Sequence, residues 1–173
     1  MADRHKYRGI WHEYTFGDVL ASVRDLALGL HTLGLKRGET LAVIGENEPQ
    51  HFWTEYAANA LGAAVVLLYP DQTADEMAYL AQDSGAVVIV AQDQEQVDKA
   101  LAVAPGAPAV KAILYWDDSG LWGYREPLLH AFEAVQKRGR EAHAADPKRY
   151  EREVAAGKSG DVAVLSYTSG TTG

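Results

Sequence analysis

The sequence predicts an α/β fold, a parallel twisted sheet with helices on both faces. Three observations carry that prediction. Apolar runs at residues 41–45, 63–69, 86–91 and 110–116 have strand length and read as strands covered on both sides. Segments of helical period, several opened by capping residues, lie between them. The connections are short, so each strand reaches the next through a helix, which implies right-handed crossovers and parallel neighbours.

Taken in order, residues 1–14 mix polar and aromatic side chains without clear periodicity and read as a lead-in segment. Thr15 opens a helix as N-cap, with Asp18 three residues on. Phe16, Val19, Leu20, Val23, Leu26, Ala27, Leu30 and Leu33 recur at a 3.6-residue period and are expected to face the core, with Gly34 as the stop. After the first strand, Asn47-Glu48-Pro49 starts a second helix. It is expected to carry Phe52, Trp53, Tyr56, Ala57 and Ala60 inward and to end near Gly62. The second strand closes at Pro70, and Thr73-Ala74-Asp75-Glu76 is a capping box for a helix through Asp83 that stops at Gly85. Asp93 and Gln96 open the helix after the third strand, ended by Pro105-Gly106. Beyond the fourth strand, 117–127 reads as a loop and 128–137 as a helix. Asp146-Pro147 is read as the cap of a last helix, with proline at the favoured first position.

Composition bounds the possibilities. A chain of 173 residues with 47% hydrophobic and 23% charged residues suits one domain, able to bury roughly 70% of its unfolded surface. Acids outnumber bases 24 to 16, a net charge of −8, which argues against nucleic acid as the main partner. Without cysteine there is neither a disulfide framework nor a thiolate metal site. The six histidines show no H-x-x-x-H spacing and read as surface or locally satisfied residues. Asp117-Asp118 reads as a turn rather than a metal pair.

The start Met1-Ala2-Asp3-Arg4-His5-Lys6 lacks the apolar core of a signal peptide, and the run 61–69 is too short to span a bilayer, so a cytoplasmic location is the default. Lys137, Arg138, Arg140, Lys148, Arg149 and Arg152 crowd together as a candidate face for an anionic membrane. Four interleaved acids, Glu141, Asp146, Glu151 and Glu153, favour a solvated helical face instead.

Residues 162–167 form a short apolar, β-branched run suited to a buried strand. The six that follow, Thr168, Ser169, Gly170, Thr171, Thr172 and Gly173, are only Ser, Thr and Gly. Glycines let a backbone turn its N–H groups toward an anion, and hydroxyls add adaptable donors, so this stretch is a candidate phosphate cradle. A flexible polar tail is the plain alternative. The order Tyr-Thr-Ser-Gly-Thr-Thr-Gly resembles the phosphate-loop signature of the AMP-forming, adenylate-forming enzymes: acyl-CoA synthetases, luciferases and the adenylation domains of peptide synthetases. It lacks the lysine of the G-x-x-x-x-G-K-[ST] loop. Tyr14-Thr15-Phe16, the stretch 33–39, Asn47 before Pro49, and Leu61-Gly62-Ala63 with the Tyr69-Pro70 that closes its strand are similar to fold signatures of the same superfamily. The stretch 93–99, and the loop 116–121 leading into 128–132, look more like its long-chain fatty-acyl-CoA synthetase branch.

The resemblance implies the N-terminal part of an adenylate-forming large domain, with residues 1–173 a partial adenylation domain cut inside its phosphate-binding loop. It implies a long-chain fatty-acid–CoA ligase that joins acid and ATP into acyl-AMP and pyrophosphate, then forms acyl-CoA and AMP. ATP, Mg²⁺ and coenzyme A follow as cofactors, and fatty acid, ATP and CoA as ligands. Thr168, Ser169, Gly170, Thr171, Thr172 and Gly173 would hold the β- and γ-phosphates with a hydroxyl near Mg²⁺, and the Tyr167 ring is left to pack at the strand end. No catalytic residue and no metal ligand is assigned within the chain, since the family's lysines and its Tyr-Gly-x-Thr-Glu motif fall later. The fragment is therefore expected to be inactive alone and to bind Mg·ATP with a Kd of about 1 mM or weaker. Its apolar faces are expected to stay partly exposed or to be covered by self-association, and peripheral membrane association stays open. An adenylation-domain or luciferase-like member, or a non-catalytic α/β binding module, are the alternatives.

Overall fold

Capping chemistry fixes where the helices start. Thr15 Oγ1 accepts from Asp18 N at 3.2 Å while Asp18 Oδ2 accepts from Thr15 N at 2.8 Å, and Thr73 and Glu76 repeat the arrangement. A computed structural model describes residues 1–168. The helices are α1 (Phe16–Thr32), α2 (Pro49–Ala60), α3 (Ala74–Asp83), α4 (Gln94–Val103), α5 (Phe132–Ala145) and α6 (Arg149–Ala155). Asp93 Oδ1 caps α4 by accepting from Gln96 N. Gly34, the expected stop of α1, sits at φ +94°, a conformation that costs a glycine little.

The strands are β1 (Asp3–Tyr7), β2 (Ile10–Tyr14), β3 (Thr40–Ile44), β4 (Ala64–Leu68), β5 (Ala86–Ala91), β6 (Ala112–Tyr115), β7 (Leu129–Ala131) and β8 (Val164–Leu165). Six of them form one sheet in the order β7-β6-β5-β3-β4-β8, and every neighbouring pair is parallel. Central β3 is buried along its whole length, and alternate residues feed two cores. Leu41 and Val43 join Leu26, Leu30, Trp53 and Val135 on the side of α1, α2 and α5. Ala42 and Ile44 join Met77, Leu80, Val97 and Ile113 on the side of α3 and α4. The expected parallel sheet with helices on both faces is the observed one.

Several expectations need correction. Residues 1–14 are not a plain lead-in: β1 and β2 form an antiparallel hairpin, on whose outer face Arg4 stacks 3.8 Å from the centre of the Trp11 ring. The apolar stripes of α1 and α2 are wider than the surface they bury, leaving Phe16 76%, Leu20 56% and Tyr56 54% exposed, and Phe52 partly so. Residues 129–131 pair with β6 as an edge strand before α5 begins at Phe132, because the open edge of β6 offers backbone partners that local helix preference does not. Asp146 ends α5 instead of capping α6; its carboxylate is held by Arg152, and α6 starts at Arg149 without a side-chain cap.

The run 162–167 is likewise a short edge strand and not a buried one, with Val162 56% and Val164 40% exposed. Of the crowded bases, Arg140 reaches buried Asp25 and Arg149 bonds His31, both on α1, while Arg152 bonds nearby Asp146, so part of this face is tied to α1 rather than simply solvated.

Helices α1 and α5 cross at glycine notches. A Cβ on Gly139 would lie 1.7 Å from the Asp25 carbonyl oxygen, and one on Gly29 would lie 2.2 Å from the Val135 oxygen. Both obstacles are backbone, so the helices would have to separate. Gly139→Ala is therefore expected to lower unfolding free energy by about 1–3 kcal/mol or more. Gly123→Ala, whose Cβ meets nothing within 4 Å, is expected to change it little. Urea denaturation of the two variants checks the contrast.

Candidate functional site

In open parallel sheets, ligands collect beyond the carboxyl ends of the strands, where strand order reverses. Here the reversal lies between β3 and β5, and side chains fill it. Gln92 Oε1 accepts from Glu46 N at 2.7 Å, and the Gln92 carbonyl accepts from Trp116 N and Asp117 N. Trp116 Nε1 donates to Glu48 Oε2 at 2.9 Å, and its ring packs so closely on Gly45 that a Cβ there would meet it at 2.6 Å. Outside this plug a cavity of about 220 Å³ is roofed by the hairpin, with His5 and His12 facing Glu48, Asp117 and Asp118. Asp117 is held low in pKa, chiefly by its hydrogen bonds from Ser119, as an Asp in a turn. Among the described residues no group of three or more His, Asp or Glu is arranged to hold a metal.

The open hollow lies one strand over. A cavity of about 260 Å³ sits at the carboxyl ends of β3, β4 and β8, lined by Gly45, Glu46, Asn47, His51, Leu67, Leu68, Tyr69, Pro70, Val164, Ser166 and Tyr167. The segment 162–168 leads directly to it. Val65 N donates to the Ala163 oxygen at 2.9 Å, and Val164 and Leu165 pair with Val65 and Val66. With its amide nitrogen turned toward the chain, Asn59 also donates to the Ala163 and Ala63 oxygens. Tyr167 then anchors on α3 through a 2.6 Å hydrogen bond to Asp83 Oδ2. Thr168, the first predicted site residue, follows and is exposed. Ser169, Gly170, Thr171, Thr172 and Gly173 lie outside the described residues.

His51 is a feature of this hollow that the sequence reading missed. It is 6% exposed, not a surface residue, and its Nδ1 is buried without a hydrogen-bond partner. Burial holds its pKa below the ordinary value, with the nearby Gly45 carbonyl pulling weakly the other way. Glu55, 3.6 Å from Nε2, is pushed up by burial. Both groups tilt toward their neutral forms, so the contact is not a strong ion pair. The only signal in sequence was the position of His51 in the first turn of a helix that opens at the carboxyl end of a strand. Among the described residues the lining carries one carboxylate, Glu46, and no Lys or Arg. It offers hydroxyl and amide donors but no cation.

A third cavity, of about 410 Å³, lies on the helical face among Phe16, Val19, Phe52, Trp53 and Tyr56. Its lining is mostly apolar, with Asp3 of β1 also on it. No helix among the described residues is long and apolar enough to cross a membrane.

A family model described as AMP-binding enzyme matches residues 1–173. Among curated proteins, the long-chain-fatty-acid–CoA ligase FadD15 of Mycobacterium tuberculosis (strain ATCC 25618 / H37Rv) is 28% identical over 165 residues, covering 95% of this chain and 26% of its own length. The long-chain-fatty-acid–CoA ligase ACSBG1 of Bos taurus is 27% identical over 168 residues, covering 97% of this chain and 22% of its own. Among solved structures, the anthranilate CoA ligase AuaEII in complex with anthranoyl-AMP superposes with a TM-score of 0.77 at 23% identity, over 94% of this chain and 28% of that one. The A-PCP didomain of carboxylic acid reductase from Segniliparus rugosus, in complex with AMP, gives 0.65 at 20% identity, over 76% of this chain and 21% of that one. The chain spans about a quarter of the length of the curated relatives it matches.

The depressed pKa of His51 makes a prediction about stability. Below its ordinary 6.5 the unfolded chain binds a proton that the folded one refuses, so folding weakens as pH falls from there through the lowered value. His130, lowered by burial and by Arg138, adds in the same direction. Denaturation midpoints taken between about pH 7.5 and pH 5.5 are expected to fall for the parent chain and to fall less for His51→Gln. Equal slopes would contradict this account of His51.

Proposed function

This chain belongs to the AMP-binding enzyme family, and from that premise we propose that it is the N-terminal part of an ATP-dependent long-chain fatty-acid–CoA ligase. In this reading residues 1–173 are part of the adenylation domain. The complete enzyme joins a fatty acid to AMP with release of pyrophosphate and then passes the acyl group to the thiol of coenzyme A. The observation that supports it best is the Tyr-Thr-Ser-Gly-Thr-Thr-Gly order at 167–173, entered from a strand that ends beside an open hollow at the carboxyl edge of a parallel sheet. The names of the curated relatives favour a long-chain acid over other carboxylates.

The residues fit part of what the nucleotide needs. Thr168, Ser169, Gly170, Thr171, Thr172 and Gly173 would surround the β- and γ-phosphates with hydroxyl and backbone donors, one hydroxyl lying near Mg²⁺. Bound ATP supplies pyrophosphate as leaving group. The task of this chain is to bind and orient, since attack at phosphorus gains most from positioning and from charge stabilisation. The described lining holds no cation, so neutralising the triphosphate falls to groups elsewhere in the complete enzyme.

The complete protein carrying this sequence, given Mg·ATP, CoA and a long-chain saturated fatty acid, is expected to release pyrophosphate and AMP and to form acyl-CoA. Acid-dependent pyrophosphate exchange that needs an amino acid and no CoA would point to an adenylation domain, and light emission with oxygen to a luciferase-like enzyme. No pyrophosphate with any carboxylic acid would leave a non-catalytic binding module.

A further inference from the structure

Tyr167 ends the segment that enters the Ser/Thr/Gly stretch, and its hydroxyl reaches 84 residues back along the chain to Asp83. Asp83 is the last residue of α3, a helix with no basic residue in its final turn. A carboxylate there faces the negative end of the helix dipole, so local helix chemistry gives no reason for it. Its partner across space does. The phenol donates to the carboxylate, and that bond pushes the Tyr167 pKa up to about 12, keeping the hydroxyl protonated as a donor. The Tyr167 ring also rests beside Leu165 against the α3–α4 core.

The other end of β8 is pinned too. Arg37 Nη1 lies 3.0 Å from Asp161 Oδ2, and Arg37 Nη2 donates to the Glu153 oxygen at 2.7 Å. The sheet itself grips β8 by only two residue pairs. Side chains at either end add to the ladder in setting where this segment lies.

We propose that Tyr167 is a positioning residue: its hydrogen bond to Asp83 fixes where the chain stands at Thr168 and so sets the affinity of the Ser/Thr/Gly stretch for the phosphates of the nucleotide. The proposal rests on the nucleotide reading above. Neither Tyr167 nor Asp83 takes part in the chemistry. Their bond holds Tyr167 and the entry at Thr168 in place before the ligand arrives, so that less freedom is lost there on binding.

The test is steady-state kinetics on the complete protein. Tyr167→Phe, which removes only the hydroxyl, is expected to raise KM for Mg·ATP roughly tenfold, with a much smaller change in kcat and in KM for the acid. Asp83→Ala should match it, and the double variant should be no worse than either single. Asp83→Asn, which keeps an acceptor oxygen, should recover most of the affinity. A merely structural role would lower the thermal midpoint and leave KM for ATP in place. Wild-type activity with an unmoved KM in Tyr167→Phe, or additive effects in the double variant, would overturn the proposal alone. A wild-type protein inert toward ATP with every acid would overturn the nucleotide reading and this role with it. Asp83→Ala lies on a separate element and carries the same comparison should Tyr167→Phe fail to fold.

Discussion

The β8 segment meets the sheet through two residue pairs with β4, and the placement of the whole candidate site depends on that slender attachment. An edge strand of two residues, with Val164 partly exposed, has little burial to hold it. Its definition comes from polar contacts of long sequence separation: Arg37 with Asp161 before the strand and Tyr167 with Asp83 after it. The segment between them puts Val164, Ser166 and Tyr167 on the same hollow as the loop Gly45–Asn47 and His51. A change in α3 or in the turn before β3 would therefore be felt at the site without touching a ligand.

The rest of the fold gives the other candidate places different surroundings. The reversal of strand order between β3 and β5, the usual place for a ligand, is taken up by Gln92, Glu48 and Trp116 and roofed by the β1–β2 hairpin. The helical face on one side of the sheet is locked by the close α1–α5 crossing, where glycines let two backbones touch. The apolar surface left over, Phe16, Leu20 and Tyr56, lies on the outer side of α1 and α2. Of the three cavities described, the one at the carboxyl ends of β3, β4 and β8 is the one that the segment 162–168 enters, through Val164, Ser166 and Tyr167.

Much of this was legible in sequence where the cause is local. Thr15 with Asp18, Thr73 with Glu76, and Asp93 each announce a helix start because the bond that makes the cap spans three residues. The runs that became β3, β4, β5 and β6 are apolar on both faces because helices cover both, and such runs are visible without a structure. Residues 129–131 were misread because Leu-His-Ala suits a helix, and only the open edge of β6 makes it a strand. The hairpin escaped because short polar strands are held by cross-strand pairs and by Arg4 on Trp11, not by burial.

At the site, the Ser/Thr/Gly stretch was recognisable from residue order, whereas the contacts that hold the segment leading to it were not. Asp83 looks like any surface acid at a helix end, and only the fold brings it to Tyr167. His51 looks like any histidine until the sheet closes over it. Distance along the chain, rather than weakness of the interactions, hid these residues.

The central claim is that nucleotide binds at the carboxyl end of β8 and not at the plugged reversal of strand order. The most direct measurement is a hydrogen–deuterium exchange footprint of the complete protein with a non-hydrolysable ATP analogue and Mg²⁺. Protection is expected in peptides covering residues 164–173 and 45–51, with none at 5–12 or 116–118. Protection confined to the hairpin and the Trp116 loop, with 164–173 unchanged, would contradict the account.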